Sequence, residues 1–382
     1  GQGERLRDFE KYRSEFPITE KYVYLNHAAV SPPPIRVGKA VEALFEEYIR
    51  CGIECYPEWM KRISEVRLSF AALIHARPDE IAFVGNTSEG LGAIAAGIKW
   101  KKGEVQLSNL LAFLPNVYPW MNLERHGVRV DFIQRKDGRF GVKDVEKALS
   151  PGARLLSVSS VDFLTGFHCD LKALGDFCNK KGLLFCVDAI QSLGVVPMDV
   201  KKYGIHFLCS GSHKWLLSAM GCGGLFISRD VDNIIHPDRV GWKSVVREED
   251  FFRLNFDLKP DALRFEPGAM NIAGIYSLGA SIDLLMEVGI EKIHQHVIAL
   301  NDLFIMGLKE RHTRVISPMD EAGRSGILSF VPSSDPGTLS KFLTEKKVMV
   351  SLRDNVIRLS PHFYNNRMDV NHFFKVLDSF YP

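Results

Sequence analysis

The sequence contains two residues, Lys214 and Asp188, whose types and positions could support covalent chemistry. Lys214 follows the apolar run IHFLCS and lies between small polar residues and a glycine cluster in SGSHKWLLSAMGCGG (210–224). Asp188 terminates the strongly apolar part of LLFCVDAI. Open α/β sheets bind ligands at the carboxyl ends of their strands, and a carboxylate buried there needs a cationic or N–H partner. Taken singly, Lys214 is more simply a solvated charge and Asp188 a helix cap.

The segment FVGNTSEGLGAI (83–94) adds a third feature, a strand that ends in a polar turn before a helix beginning at about Ser88. Backbone N–H groups at a helix N-terminus, together with the Thr87 and Ser88 hydroxyls, can bind a phosphate, although the same residues are also good helix caps. An amine, a buried acid and a phosphate cradle are the set that pyridoxal phosphate (PLP) needs. The three segments together therefore predict a PLP enzyme.

The sequence has no signature of several other common sites. No Gly-x-Gly-x-x-Gly follows the first predicted strand, and neither a Gly-Lys-Ser phosphate loop nor His-Glu-x-x-His occurs. Cys51 and Cys55 have no matching Cys or His pair at zinc spacing, so we expect no metal site. The net charge of +2 is too small for a nucleic-acid or membrane-surface protein. An odd number of cysteines, mostly in apolar runs, predicts reduced thiols in a cytoplasmic protein. Because the net charge is small and no run approaches the roughly 18 apolar residues of a membrane helix, we expect neither nucleic acid nor membrane as a partner.

The elements that must position these residues follow an α/β pattern. Between about residues 80 and 230, short β-rich runs alternate with segments of helical spacing, which predicts a mostly parallel sheet covered by helices. The seven predicted strands are EIAFV, EVQLS, VRVDFI, RLLSVSSV, LLFCVDAI, IHFLCS and GLFIS. The predicted helices between them are SEGLGAIAAGIKW, NVYPWMNLERHG, VKDVEKALS and LKALGDFCNKKG.

The length of 382 residues favours a large domain with a smaller companion. Residues 1–35 end in three consecutive prolines, which break regular structure, so we expect this segment to cross the larger domain near the active site. Residues 36–245 form the predicted large PLP-binding domain. Residues 246–382, with one or two long helices and the strand-like runs GILSFVP, VMVSL and VIRLS, form a predicted small α+β domain.

In this order, the motifs resemble the class V aminotransferase family of fold-type I PLP enzymes, which includes cysteine desulfurases, kynureninase and isopenicillin N epimerase-like proteins. The match runs from YLNHAAVSPPP to VIRLSPHFYNN, nearly the whole chain. The resemblance implies a large domain with a seven-stranded, mostly parallel sheet and a smaller α+β C-terminal domain. It also implies a homodimer with its active sites at the subunit interface.

The resemblance gives each matching residue a role. Lys214 would form the aldimine with PLP, and Asp188 would keep the pyridine nitrogen protonated. Arg358 would grip the substrate α-carboxylate, a task suited to its bidentate guanidinium. The other implied cofactor contacts are Gln191 at the ring oxygen, His213 beside the lysine, Phe113 stacked on the ring, and Thr87 and Ser88 at the phosphate. Asn26 and His27 match a segment that lines the substrate mouth.

Two small residues stand where many relatives have phosphate-binding hydroxyls. Ala269 in FEPGAMN replaces a threonine that reaches the partner subunit's cofactor, and Gly211 replaces a serine or threonine. Ser210 and Ser212 are the nearest substitutes for the hydroxyl missing at Gly211. We therefore expect PLP to be held less tightly than in those relatives, or by different atoms.

Cysteine placement bears on the reaction. A cysteine desulfurase uses a mobile thiolate on a loop shortly before the substrate arginine, but here that loop reads VSLRDNVIRLS and no cysteine follows Cys222. The sequence is therefore interpreted as an aminotransferase and not as a cysteine desulfurase. It would act on an amino acid or small amine, with Lys214 removing the α-proton to give a quinonoid intermediate. The alternatives are an epimerase, a carbon–sulfur lyase without a catalytic cysteine, or a non-catalytic binding protein on the same fold.

Overall fold

The computed structural model describes residues 6–109 and 117–381. The described strands are β1 (Val23–Tyr24), β2 (Ile81–Val84), β3 (Val105–Asn109), β4 (Arg129–Ile133), β5 (Ala153–Ser159), β6 (Leu184–Asp188), β7 (Phe207–Gly211), β8 (Gly223–Ile227), β9 (Arg314–Val315), β10 (Leu328–Val331), β11 (Val348–Met349), β12 (Ser351–Arg353) and β13 (Val356–Leu359). The described helices are α1 (Glu10–Arg13), α2 (Ile35–Cys51), α3 (Tyr56–Leu73), α4 (Thr87–Gly97), α5 (Tyr118–Met121), α6 (Val142–Ala148), α7 (Leu171–Lys181), α8 (Ile272–Val288), α9 (Ile290–Glu310), α10 (Pro336–Glu345) and α11 (Arg367–Phe380).

The main sheet, as far as the chain is described, has seven strands in the order β2-β8-β7-β6-β5-β3-β4. Strands β3 to β7 run parallel, and β8 is antiparallel to its neighbours β2 and β7. Successive side chains of a strand enter opposite faces, so Leu155 and Cys186 belong to one hydrophobic cluster while Leu156 and Val187 belong to the other. The predicted α/β fold and all seven predicted strands are confirmed.

The carboxyl ends of β6 and β7 bring the predicted acid and amine to one edge of the sheet. Asp188 is the last residue of β6 and pairs with Cys209 of β7, while Lys214 follows β7 by three residues. Every residue of β7 is buried, because the sheet is covered on both faces. The long apolar runs before Asp188 and Lys214 are therefore central strands.

Helix α4 begins beside this edge. Its N-cap is Asn86, whose side chain accepts a hydrogen bond from the Glu89 N–H at 2.8 Å. Gly90 lets α4 approach β7 closely, because a Cβ at this position would lie 2.8 Å from the Cys209 sulfur. The helix N-terminus is thus held near the turn that contains Lys214.

The C-terminal part contains an antiparallel sheet, which in the described chain has the order β12-β13-β10-β9, and a separate parallel pair of β1 with β11. The predicted long helical segment is divided at Gly289, whose φ of +94° is one that glycine adopts readily. Helix α8 packs against α2 and α3, and α9 packs against α11. Contacts of α8 therefore cross the proposed boundary at residue 245, which stays a prediction.

No helix in the described part of the chain is by itself long and apolar enough to cross a membrane. Helices α8 and α9 meet that criterion only as a pair, and they are bent by 77° where they join.

Candidate active site

Lys214 lies in an environment that weakens its charged form. Burial lowers the pKa of its amine from 10.5 to about 8; Arg358 and Arg353 lower it as well, while Asp188 raises it. Asp188 is 4% exposed and accepts the Ile190 N–H at 3.0 Å. A lysine with this pKa has a larger neutral fraction near physiological pH than an ordinary lysine, and the neutral form is the one that acts as a nucleophile or a general base.

The N-terminus of α4 is tied to the strand that leads to Lys214. Thr87 is buried, and its hydroxyl oxygen accepts the Gly211 N–H at 2.8 Å. Ser88, the next residue, is exposed at the start of the helix. These contacts set the first turn of α4 beside the lysine turn, and a helix N-terminus in this position is suited to bind a phosphate.

The hydroxyls of the two serines predicted as substitute phosphate ligands are hydrogen-bonded to backbone carbonyls. Ser210 and Ser212 are fully buried. The Ser210 hydroxyl donates to the Gly211 carbonyl at 2.8 Å, and the Ser212 hydroxyl donates to the Cys222 carbonyl at 2.6 Å. In these positions both hydroxyls brace the backbone of the lysine turn, a role that their spacing in the sequence does not reveal.

Gln191 and His213 both lie next to the lysine turn. The Gln191 amide donates to the Ala28 carbonyl at 3.1 Å and accepts from the Trp215 indole N–H at 3.0 Å. It therefore ties the N-terminal segment to the residue that follows Lys214. Burial lowers the pKa of His213, and the charge of Lys214 lowers it further.

Phe113, the predicted stacking ring, lies outside the described residues. The structure therefore leaves its predicted contact with the cofactor as an expectation from the resemblance.

Arg358 is a buried cation, with 1% of its surface exposed. Its Nη1 donates to the Phe163 carbonyl at 2.7 Å, and its Nη2 lies 3.5 Å from the Ser351 hydroxyl. The Nε is buried without a hydrogen-bond partner among the described residues. Burial lowers the pKa of Arg358, and Arg353 adds to this effect. A buried guanidinium with an unused N–H is suited to bind a carboxylate.

The two predicted substrate-mouth residues are placed differently. Asn26 lies close to Arg358, because its side-chain oxygen accepts a hydrogen bond at 2.6 Å from the hydroxyl of Ser351, which also lies beside the Arg358 guanidinium. His27 is fully buried, with one ring nitrogen 2.8 Å from the Ser360 carbonyl and the other 2.6 Å from the Tyr364 hydroxyl. Both of its nitrogens are engaged, so His27 fixes the N-terminal segment and does not line the mouth as expected.

Sequence reasoning missed the support beneath Arg358. Asp162 and Arg135 form a buried ion pair at 3.0 Å, with side chains 5% and 2% exposed. Asp162 also accepts the Thr165 N–H at 2.7 Å, which holds the turn that presents the Phe163 carbonyl. The sequence places Asp162 beside Phe163, but its partner lies 27 residues earlier and no local pattern links them.

Comparison with known proteins identifies the family. The family model described as aminotransferase class-V matches residues 23–373. The chain belongs to this family. It is similar to a "Probable cysteine desulfurase" of Pyrococcus abyssi (31% identity, 98% of both chains) and to an "Uncharacterized aminotransferase" of Bacillus subtilis (29% identity, 95% of both chains). The solved structure of a cysteine desulfurase from Thermococcus onnurineus NA1 matches it with a TM-score of 0.88 and 26% identity over 98% of both chains.

Membership of the class V family confirms the predicted fold type and the predicted cofactor, PLP. The residues present fit this cofactor: an amine of lowered pKa, a buried carboxylate at the next strand end and a helix N-terminus. The chain is a PLP-dependent enzyme of the kind that acts on amino acids.

The predicted exclusion of a cysteine desulfurase is wrong. Relatives named as probable cysteine desulfurases are 30% and 31% identical to this chain over nearly their whole lengths, and the solved desulfurase has the same fold. A protein thiol is one acceptor for the sulfur, but elimination at Cβ breaks the carbon–sulfur bond without such a thiol, because the bonding electron pair leaves on sulfur. The absence of a cysteine after Cys222 therefore does not decide whether the carbon–sulfur bond is broken.

Proposed function

We propose that this class V enzyme breaks the carbon–sulfur bond of a cysteine-type amino acid. The observation that carries the proposal is Arg358, a buried guanidinium with an unused Nε–H that acts electrostatically on the Lys214 amine. A carboxylate bound there lies in the same site as the base. The relatives named as desulfurases favour sulfur chemistry over other reactions of an amino acid.

Each residue of the proposed site has a role that follows from its chemistry. Bound PLP supplies a protonated ring that stabilises negative charge at the substrate Cα. Asp188 holds the proton on the ring nitrogen, and Thr87 with the first turn of α4 holds the phosphate. Arg358 orients the α-carboxylate, and the neutral Lys214 amine removes the Cα proton.

Transamination is a second candidate, favoured by the Bacillus relative that is named as an aminotransferase. It begins with the same removal of the Cα proton, so Lys214 and Arg358 serve both reactions. The two differ in the fate of sulfur, because transamination leaves the carbon–sulfur bond intact.

We also propose that the enzyme is a homodimer in a reducing, cytoplasmic compartment. A cavity of about 740 Å³ is lined by Tyr48, Ile53, Trp242 and Ala269 among others, and large apolar side chains around it are exposed. Phe252 and Leu254 are 97% and 104% exposed, which a second copy of the chain would cover. All seven cysteines, which fall within the described ranges, are free thiols.

The proposed roles are tested by cofactor and substrate binding. The purified protein should gain a visible absorption band with PLP, and Lys214→Ala should lose it while the control Lys202→Ala keeps it. Arg358→Ala should raise the KM for cysteine about 10- to 100-fold, since a charge-assisted hydrogen bond contributes about 1.5 to 3 kcal/mol. A KM for cysteine that is unchanged in Arg358→Ala would remove the assigned carboxylate site.

A further inference from the structure

The hairpin of β12 and β13 places a second arginine on the face that carries Arg358. Arg358 pairs directly with Ser351, and Arg353 pairs with Val356. Directly paired residues share a face, as do residues two apart on a strand, so Ser351, Arg353 and Arg358 lie on one face. Arg353 and Arg358 are diagonal neighbours, at a typical separation of about 7 to 8 Å.

The charge of Arg353 is not balanced by an acid within the described chain. Its side chain is half-buried, and its Nη1 donates to the neighbouring Leu352 carbonyl at 3.0 Å. No ion pair of Arg353 occurs among the described residues, and the adjacent Asp354 is exposed in the turn. The positive charge of Arg353 lowers the pKa of both Arg358 and Lys214.

Two guanidinium groups, those of Arg353 and Arg358, therefore act on the site of the Lys214 amine, and the substrate α-carboxylate neutralises only one of them. Asp162 is already paired with Arg135, and Asp188 is assigned to the ring nitrogen of the cofactor. One carboxylate on Arg358 leaves Arg353 uncompensated. Like charges held close together are costly, and an anion between them relieves that cost.

We propose that Arg353 is a specificity-determining residue that binds a second anionic group, at the far end of the substrate side chain. This inference deepens the proposed carbon–sulfur cleavage and rests on it for the reaction. The substrate class is then a cysteine derivative whose sulfur bears an acidic group, with S-sulfocysteine as the test compound. Arg353 also neutralises the negative charge that collects on the departing sulfur.

The reaction balances without an oxidant or a reductant. Lys214 takes the Cα proton, and the Cβ–S bond breaks with its electron pair on sulfur, so S-sulfocysteine releases thiosulfate. The three-carbon product left behind is hydrolysed by water to pyruvate and ammonium. No catalytic cysteine takes part, which agrees with the lack of cysteine after Cys222.

The test compares ligands that differ only in the second acid. Glutarate and glutaramate have the same length, lack the reactive amine and carry two carboxylates and one, respectively. Titration calorimetry on the PLP-loaded enzyme should give at least about tenfold tighter binding of glutarate, as expected for one charge-assisted contact. Arg353→Gln should bind the two ligands equally, and Arg353→Lys should retain part of the preference.

Arg314→Gln is the matched control, because Arg314 is exposed on β9 at the opposite edge of the same sheet. It should keep the preference for glutarate. A wild-type enzyme that binds both ligands equally, or an Arg353→Gln variant that still prefers glutarate, would overturn the role of Arg353. Kinetics must agree: Arg353→Gln should lose kcat/KM for S-sulfocysteine about tenfold or more and lose little for cysteine.

The two proposals fail separately. If no sulfur substrate is cleaved but the preference for glutarate depends on Arg353, the reaction is wrong and the anion site stands. If cysteine is cleaved and wild-type enzyme shows no preference, the anion site is wrong and the carbon–sulfur cleavage stands.

Discussion

At the scale of single residues, Lys214 is a charge that the fold destabilises. Its amine is surrounded by protein and by two guanidinium groups, and only Asp188 favours the ammonium form. The pKa of about 8 is therefore below the ordinary 10.5. A group of this kind gives reactivity at the expense of stability, and the pH dependence of stability reveals it.

Replacing Lys214 by methionine should stabilise the cofactor-free protein at pH 7. The folded state binds fewer protons than the unfolded state between pH 8 and 10.5, so wild-type stability rises with pH in that window and the variant lacks this rise. We expect Lys214→Met to be more stable by about 1 to 3 kcal/mol at pH 7, with the difference shrinking above pH 8. Urea unfolding at pH 7 and 10 measures it.

Lys202→Met is the control for this prediction, because Lys202 is exposed. It should change stability little at either pH. A Lys214→Met variant whose stability relative to wild type is the same at pH 7 and pH 10 would contradict the lowered pKa.

Lys214, Asp188 and Arg358 were predictable because each lies in a recognisable motif: Asp188 ends a strand, Lys214 follows one, and Arg358 lies within the short strand β13. The roles of other residues depend on contacts between distant segments. The burial of His27 depends on Tyr364, 337 residues away. The position of Arg353 beside Arg358 depends on the register of a hairpin, which no motif specifies.

At the scale of elements, the close packing of α4 on β7 sets the phosphate cradle beside the lysine. Gly90 allows this approach, since an added Cβ would meet Cys209 at 2.8 Å. Gly92, on the same helix, has open space where its Cβ would be. Alanine substitutions at Gly90 and at Gly92 therefore separate the effect of helix packing from the effect of helix propensity.

Gly90→Ala should push α4 away from β7, destabilise the protein by about 1 to 3 kcal/mol and weaken PLP binding. Gly92→Ala should leave PLP binding unchanged and stabilise the protein by about 0.5 to 1 kcal/mol through helix propensity. Urea unfolding and PLP titration measure both effects. Equal PLP affinity in the two variants would show that the position of α4 does not control the cofactor.

The positions of the main-sheet strands were predictable because fully buried parallel strands give long apolar runs. The sequence does not distinguish one long helix from the pair α8 and α9, because helical spacing continues through residue 289 and only the φ of Gly289 ends the first helix. Pairing of β1 with β11 joins segments more than 300 residues apart, so sequence periodicity contains no signal for it.

At the scale of the whole molecule, residues 246–256 form an apolar surface that is exposed to solvent in a single chain. Phe252 and Leu254 are almost wholly exposed, and they lie in the segment next to the cavity lined by Tyr48 and Trp242. Large exposed apolar patches mark interfaces. The proposed dimer would bury them.

Replacing Phe252 and Leu254 together by serine should weaken the dimer at least about tenfold, because each side chain would otherwise bury apolar area worth about 1.5 to 3 kcal/mol. Sedimentation equilibrium measures the change. Met368→Ser is the control, since Met368 is 76% exposed on α11. A monomeric wild type, or a double variant that dimerises as wild type does, would contradict the assignment.

The fate of sulfur tests the central claim most directly. The PLP-loaded enzyme is incubated with cysteine and with S-sulfocysteine, and released sulfur and three-carbon products are quantified for wild type and Lys214→Ala. We predict one sulfide, free or transferred to an added thiol, for each alanine or pyruvate formed from cysteine. From S-sulfocysteine we predict one thiosulfate for each pyruvate, and with Lys214→Ala we predict no product from either compound. A three-carbon keto acid that retains its sulfur, or the absence of any product from wild type, would contradict carbon–sulfur bond cleavage.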